Sequence, residues 1–207
     1  MPSEPAWSRP IATPGDATIW LADLDAADGG DADLSLLSVD ERARAGRFVF
    51  DVHRRRFIAC RAWLRTRLGG RLDRPPDALR FDYGPVGKPS LTGGGTLRFN
   101  VSHSDRYALL GMADGREIGV DIERLRPLSD MDALAQRVFS AAERGALASV
   151  PADRKVEAFY AGWTRKEAYI KARGEGIALL KSIEVSLSPG NPPRPIRVRG
   201  QPDEPKH

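Results

Sequence analysis

Cysteine is nearly missing from this sequence: Cys60 is the single one among 207 residues. That excludes an internal disulfide framework and a cysteine-rich zinc site. Long apolar runs are missing too, since no stretch approaches the roughly 20 residues that a membrane span needs. The opening MPSEPAWSRPIATPGDATIW has no basic start followed by an apolar stretch, so no secretory signal is expected. A cytoplasmic protein with no membrane partner is the expectation. Aromatic residues reach only 7%, and the basic residues are scattered rather than striped with aromatics. A nucleic-acid-binding module therefore ranks last, and no nucleic acid is expected as a partner.

What is present defines a soluble globular chain, 41% hydrophobic and 29% charged. Its length allows one sizeable core or two small joined halves. The net charge of +4 is carried mostly by arginine. A mildly basic surface suits phosphates, nucleic acid or an acidic protein, although ordinary arginine-rich composition accounts for it equally well.

Along the chain, residues 1–16 read as a loose, proline-containing lead-in. ATIWLADL alternates as a strand, with Ile19, Leu21 and Leu24 as candidate core residues. Residues 36–70 read as helix throughout, with Ser38 as N-cap, Glu41 completing a capping box and Gly69–Gly70 as the stop. LRFDYGPVGKPSL is a strand leading into a Gly/Pro turn. Residues 95–125 read as two or three antiparallel strands, including GVDIERL, with a hairpin at Asp114–Gly115. Two helical regions follow, then a strand in IEVSLSPG. The expected division is 1–110, 111–190 and a proline-rich, disordered tail at 191–207.

Two parts of the chain echo each other. SVDER precedes AWLRTRLGG, and SAAER precedes GWTRKEAYIKARGEG. Each pair also carries a phenylalanine ahead of its tryptophan, Phe57 before Trp63 and Phe159 before Trp163. Recurrence of caps and aromatics together favours a diverged internal duplication into two α+β halves.

The candidate chemistry lies in five stretches. In GVDIERL, strand alternation would put Asp121 and Glu123 on one face, where they repel unless a cation sits between them. Magnesium, a hard ion bound by oxygen, fits; a solvent-facing strand edge fits that stretch alone better. In the second long helix, Trp163, Glu167, Ile170, Lys171 and Gly174 share a face. A Glu167–Lys171 salt bridge is the plain account, but at roughly 0.2–0.5 kcal/mol it does not offset deep burial of two charges. A metal on Glu167 and a phosphate on Lys171 would do so better. FNVSHS clusters Ser102, His103 and Ser104 at a strand end, as a phosphate cradle requires. GPVGKPS is a stiff Gly/Pro loop carrying Lys88, without the spacing of a P-loop. HRRRF places Arg54, Arg55 and Arg56 over most of a helix turn, so they cannot all face one ligand, and a solvated face is the plain reading for at least two. Together these are equipment for an ADP-like or pyrophosphate ligand.

The ordered set GKP, NVSHS, GVDIE, FSAAE and WTRKEAYIKARGEG resembles the 4′-phosphopantetheinyl transferases of the Sfp type, from about Ser38 to Leu187. The resemblance implies an α+β pseudo-dimer: two similar halves, each a small antiparallel sheet on helices, with the active site in the cleft between them. It implies a monomer that transfers the 4′-phosphopantetheine arm of coenzyme A to a serine of an acidic apo carrier protein, releasing adenosine 3′,5′-bisphosphate. Asp121, Glu123 and Glu167 match the ligands of Mg2+, with Mn2+ as an alternative. Glu167, or a water on the metal held by Glu123, would take the serine proton. Lys171 matches a lysine at the transferring phosphate, with Lys166 as its companion. Ser102 and His103 match residues around the 3′-phosphate, and Gly87, Lys88 and Pro89 match an adenine and phosphate loop. Arg56 matches an arginine of the coenzyme A site. Family members usually carry further strands after IEVSLSPG. An inactive carrier-binding relic of the same fold is the alternative.

Overall fold

The computed structural model describes residues 6–11, 15–27, 29–188 and 197–198. Among these, no helix is long and apolar enough to cross a membrane. The chain divides into two compact units, Met1–Ile118 and Gly119–His207. The expected boundary at residue 110 would cut through a strand that runs to Asp114.

The first unit opens with β1 (Ser8–Ile11) and β2 (Thr18–Asp23), so the lead-in expected to be loose contains an edge strand. Pro10 is tolerated there because an edge strand leaves one row of amides unpaired. Three helices follow: α1 (Asp31–Leu36), α2 (Val39–Ala45) and α3 (Asp51–Leu72). The hairpin β3 (Phe81–Tyr83) and β4 (Pro89–Leu91) comes next, then β5 (Leu97–Ser104) and β6 (Tyr107–Asp114). The main sheet is antiparallel in the order β1-β2-β6-β5. Its core gathers Ala22, Leu24, Phe99 and Leu110 with Ala59, Leu64 and Leu68 of α3. Each fully buried leucine contributes about 1.5–3 kcal/mol.

Several expectations are corrected here. Leu24, just past β2, is buried as expected, but within β2 the buried residue is Ala22 with Trp20 packed alongside, while Ile19 and Leu21 stay partly exposed. A strand shifted by one residue exchanges its faces, and Trp20 rather than Ile19 sets this one. The expected continuous helix over 36–70 is broken at 46–50. Gly69 and Gly70 do not end α3, which continues to Leu72 and closes on Asp73 in the left-handed region at φ 52°. Gly69 instead admits the Arg74 carbonyl, 2.6 Å from where a Cβ would lie. The β5–β6 hairpin turns at Asp105–Arg106, where Asp105 has φ 54°, not at Asp114–Gly115.

The second unit holds α4 (Met131–Val138), α5 (Ala141–Ala148) and α6 (Lys155–Arg173), then β7 (Ile183–Glu184) paired antiparallel with β8 (Arg197–Val198). Its core centres on Phe139, Phe159, Ile170, Leu180 and Ile183. The Phe139 and Phe159 rings meet edge-on at 5.3 Å. GVDIERL is not a strand but an irregular segment, and the strand expected in IEVSLSPG shortens to two residues. Of the expected tail, Arg197–Val198 form β8; the rest of 191–207 lies outside the described residues.

Candidate functional site

The second unit builds its acidic site from an irregular segment laid along a helix. Gly119 starts that segment where a Cβ would collide with the Ala168 carbonyl oxygen and the Ala172 amide nitrogen of α6. Only glycine permits so close an approach of backbone to backbone. Strand alternation therefore does not set the direction of Asp121 and Glu123; the seat on α6 places their segment.

On α6, Lys171 Nζ donates to Asp121 Oδ1 at 2.5 Å, with the Asp121 side chain buried and that of Lys171 about one-third exposed. Glu167 lies one helical turn before Lys171, partly buried. Its carboxyl is pushed above the usual carboxylate range, by burial first and then by the charges of Asp121 and Glu123, with Lys171 opposing. The three acids are thus within electrostatic reach of one another. Among the described residues, however, no three His, Cys, Asp or Glu side chains converge closely enough to grip a metal ion. In chemistry the set fits a hard divalent cation: three carboxylate donors whose mutual repulsion such a cation would relieve. In this structure Lys171 supplies the positive charge beside Asp121.

Lys166 does not belong to this surface. It is completely buried. Its ammonium donates to Val138 O at 2.9 Å, Glu143 Oε2 at 2.6 Å and Leu180 O at 2.7 Å. An ammonium has three donors, and all three point into the core. The expectation that Lys166 contacts a ligand is corrected on that ground.

The first unit carries the other expected residues. Ser102 is buried and His103 exposed on β5. Arg56, on α3, pairs with Asp25 at 2.6 Å and with Asp105 at 2.5 Å, and both carboxylates hold its guanidinium protonated. Neither partner had been singled out in the sequence, because Asp25 and Asp105 are far from Arg56 along the chain. The β3–β4 turn holds Gly87 at φ 79°, a conformation glycine adopts without steric cost. It closes through Gly87 N donating to Gly84 O at 2.9 Å. Lys88 beside it donates to Glu117 Oε2 at 2.6 Å.

The duplication reappears as a repeated anchor. In α2, the Ser38 amide donates to Glu41 Oε2 at 2.9 Å; in α5, the Ser140 amide donates to Glu143 Oε2 at 2.7 Å. The next residue reaches back in both copies, Arg42 Nη1 to Leu37 O at 2.5 Å and Arg144 Nη1 to Phe139 O at 2.8 Å. Each buried glutamate then receives a buried cation from the long helix that follows. Arg65 Nε donates to Glu41 Oε2 at 2.7 Å, and Lys166 Nζ to Glu143 Oε2 at 2.6 Å. The same cations reach carbonyls beyond the long helix: Pro76 and Leu79 for Arg65, Leu180 for Lys166.

A duplicated α+β chain with a carboxylate and lysine pair on the second long helix is the class these features define. Comparison with known proteins gives the family. Residues 117–206 match the 4′-phosphopantetheinyl transferase superfamily, and residues 30–114 match the N-terminal region of 4′-phosphopantetheinyl transferase. The chain is 46% identical over 178 residues to the 4′-phosphopantetheinyl transferase HetI of Nostoc sp., covering 84% of this chain and 75% of that one. It is 40% identical to the putative 4′-phosphopantetheinyl transferase slr0495 of Synechocystis sp., covering 70% of this chain and 59% of that one. It is 30% identical to Sfp of Bacillus subtilis, covering 74% of this chain and 68% of that one. The chain belongs to the 4′-phosphopantetheinyl transferase superfamily.

Proposed function

We propose that this protein is a cytoplasmic, monomeric enzyme that transfers the 4′-phosphopantetheine arm of coenzyme A to a serine hydroxyl of an acidic apo carrier protein, releasing adenosine 3′,5′-bisphosphate. The observation that carries the reading is the partly buried Glu167, one turn from the Lys171 that holds Asp121, its carboxyl raised by burial first and then by Asp121 and Glu123 against the pull of Lys171. A carboxylate whose proton affinity is raised above the ordinary value is suited to accept the serine proton. Lys171, now on Asp121, is a cation that a phosphate can recruit. Asp121, Glu123 and Glu167 are the residues that would hold Mg2+, or Mn2+ in its place. Bound there, the ion would neutralise charge on the pyrophosphate and the leaving group. Ser102, His103, Lys88, the Gly87–Pro89 turn and Arg56 are assigned to coenzyme A. The net charge of +4 favours encounter with an acidic carrier.

Intact-protein mass spectrometry tests this. The protein is mixed with an apo carrier, coenzyme A and magnesium, beside a Glu167→Ala variant. A carrier mass gain of one phosphopantetheine arm, absent with the variant, supports the transferase. Carrier binding without a mass gain, across fatty-acid, polyketide and nonribosomal-peptide carriers, refutes it in favour of an inactive carrier-binding relic.

A further inference from the structure

We infer that Lys166 and Glu143 form a positioning lock for the acidic site: a buried ion pair that sets the rotation of α6 and so the placement of Glu167 and Lys171. This rests on the transferase reading above. Lys166 directly precedes Glu167 on the helix, and successive side chains project about 100° apart. Fixing one therefore fixes the direction of the other. The lock ties three elements together. Lys166 is held by Val138 O at the end of α4, Glu143 in α5 and Leu180 O in the 3-10 segment after α6. Glu143 in turn accepts from the Val185 amide at 2.8 Å. Any rotation or slide of α6 breaks several of these bonds in a buried setting, where lost hydrogen bonds are costly. The first unit holds its long helix with the corresponding Glu41–Arg65 pair, but there the neighbouring residue is Thr66, whose hydroxyl donates to Ala62 O at 2.9 Å. One anchor thus serves two helices, and in the second it carries the reactive groups.

The test is the near-isosteric, uncharged double variant Glu143→Gln/Lys166→Met, with Glu41→Gln/Arg65→Met as its counterpart in the first unit. Four readouts are taken: melting temperature, Mn2+ affinity by electron paramagnetic resonance without turnover, kcat, and KM for coenzyme A. The lock predicts that Glu143→Gln/Lys166→Met weakens Mn2+ binding and lowers kcat by about 10-fold to 100-fold, the usual effect of removing an outer support. KM for coenzyme A rises in that variant and not in the counterpart, because Lys171 and the cation would face the coenzyme's phosphates. The counterpart leaves Mn2+ affinity unchanged whatever its melting temperature. Should the double variant not fold, Glu143→Gln against Glu41→Gln carries the comparison, with the Mn2+ loss confined to Glu143→Gln. Wild-type Mn2+ affinity and kcat in a folded Glu143→Gln/Lys166→Met overturn the lock, as does an equal Mn2+ loss in both units. Absence of transfer by the wild-type protein overturns the transferase reading separately, and the Mn2+ measurement then still decides the lock.

Discussion

Gly119→Ala isolates the contact that seats the acidic segment on α6. Gly119 does not sit in the left-handed region, so alanine can adopt its backbone conformation and the whole cost is space. The obstructing atoms are the Ala168 carbonyl oxygen and the Ala172 amide nitrogen, both helix backbone, which cannot rotate aside as a side chain would. Overpacking costs about 1–3 kcal/mol, and a backbone obstruction belongs at the top of that range. At about 2–4 °C per kcal/mol for a chain of this size, the melting temperature should fall by about 6–12 °C. The least costly escape is for residues 119–123 to lift off the helix, which withdraws Asp121 from Lys171. Transfer activity should therefore fall together with stability, and more magnesium should be needed for half-maximal rate. Gly145→Ala is the control. Gly145 lies in the exposed interior of α5 with nothing within 4 Å of a new Cβ, so alanine there should stabilise by about 0.5–1 kcal/mol. Circular dichroism melts and a coenzyme A transfer assay on both variants decide the matter. A Gly119→Ala protein that melts and turns over like wild type would falsify the seating argument.

Three further outcomes follow from burial and charge. Glu41→Gln removes the buried negative charge that Arg61 and Arg65 share and turns one accepting oxygen into a donor facing them, and breaking such a pair costs about 3–5 kcal/mol. Burial raises the Glu41 carboxyl, but Arg61, the Ser38 amide and Arg65 outweigh it and hold it below the usual range. Its contribution is therefore full above the ordinary carboxylate pKa and fades as pH falls. The melting-temperature gap between wild type and Glu41→Gln should be widest near neutrality and close in acid. Glu167 has the opposite sign: its pKa is raised in the fold, so its ionised form opposes folding as pH rises. In chelator, Glu167→Gln should melt above wild type at neutral pH and lose that advantage in acid, and with magnesium supplied it should not transfer the arm; a lower melting temperature at neutral pH would contradict the burial and repulsion assigned to this carboxylate. Cys60 is buried, with its thiol pushed up to about 11 by that burial. Ellman's reagent at pH 8 should leave it unmodified in the folded protein and label it in denaturant.

Much of the fold was legible in the sequence because its signals are local. The capping boxes at Ser38 and Ser140, the helical periodicity of α3 and α6 and the alternation of β5 and β6 each lie within a few residues. The misreadings arose where a distant partner decides. Gly69 and Gly70 looked like a helix stop, but the Arg74 carbonyl needs the space at Gly69 and the helix runs past them. GVDIERL alternates like a strand, yet Gly119 presses it against α6, where it pairs with no strand among the described residues. Asp121, Glu123, Glu167 and Lys171 could be chosen because ionisable residues among apolar ones stand out in any sequence. Lys166 enters the expected site only through the family resemblance, as a companion of Lys171. Only Glu143 and the carbonyls of Val138 and Leu180, all remote in sequence, reveal that its charge is satisfied inside the protein.

The two copies of the anchor separate what this fold requires from what the chemistry requires. A buried cation on a buried glutamate is weak evidence for net stability, since desolvation offsets most of the attraction. Its presence in both units is better explained by geometry: it fixes how a long helix faces the helix before it and the segment after it. In the first unit the residue after the anchor is Thr66, whose hydroxyl donates to the Ala62 carbonyl of its own helix. In the second unit it is Glu167, with Lys171 one turn on and Asp121 held beside it. The same scaffold position thus carries a carboxylate in one copy alone. What the second copy adds is a partly buried glutamate directly beside the anchor, its carboxyl raised by burial first and then by Asp121 and Glu123.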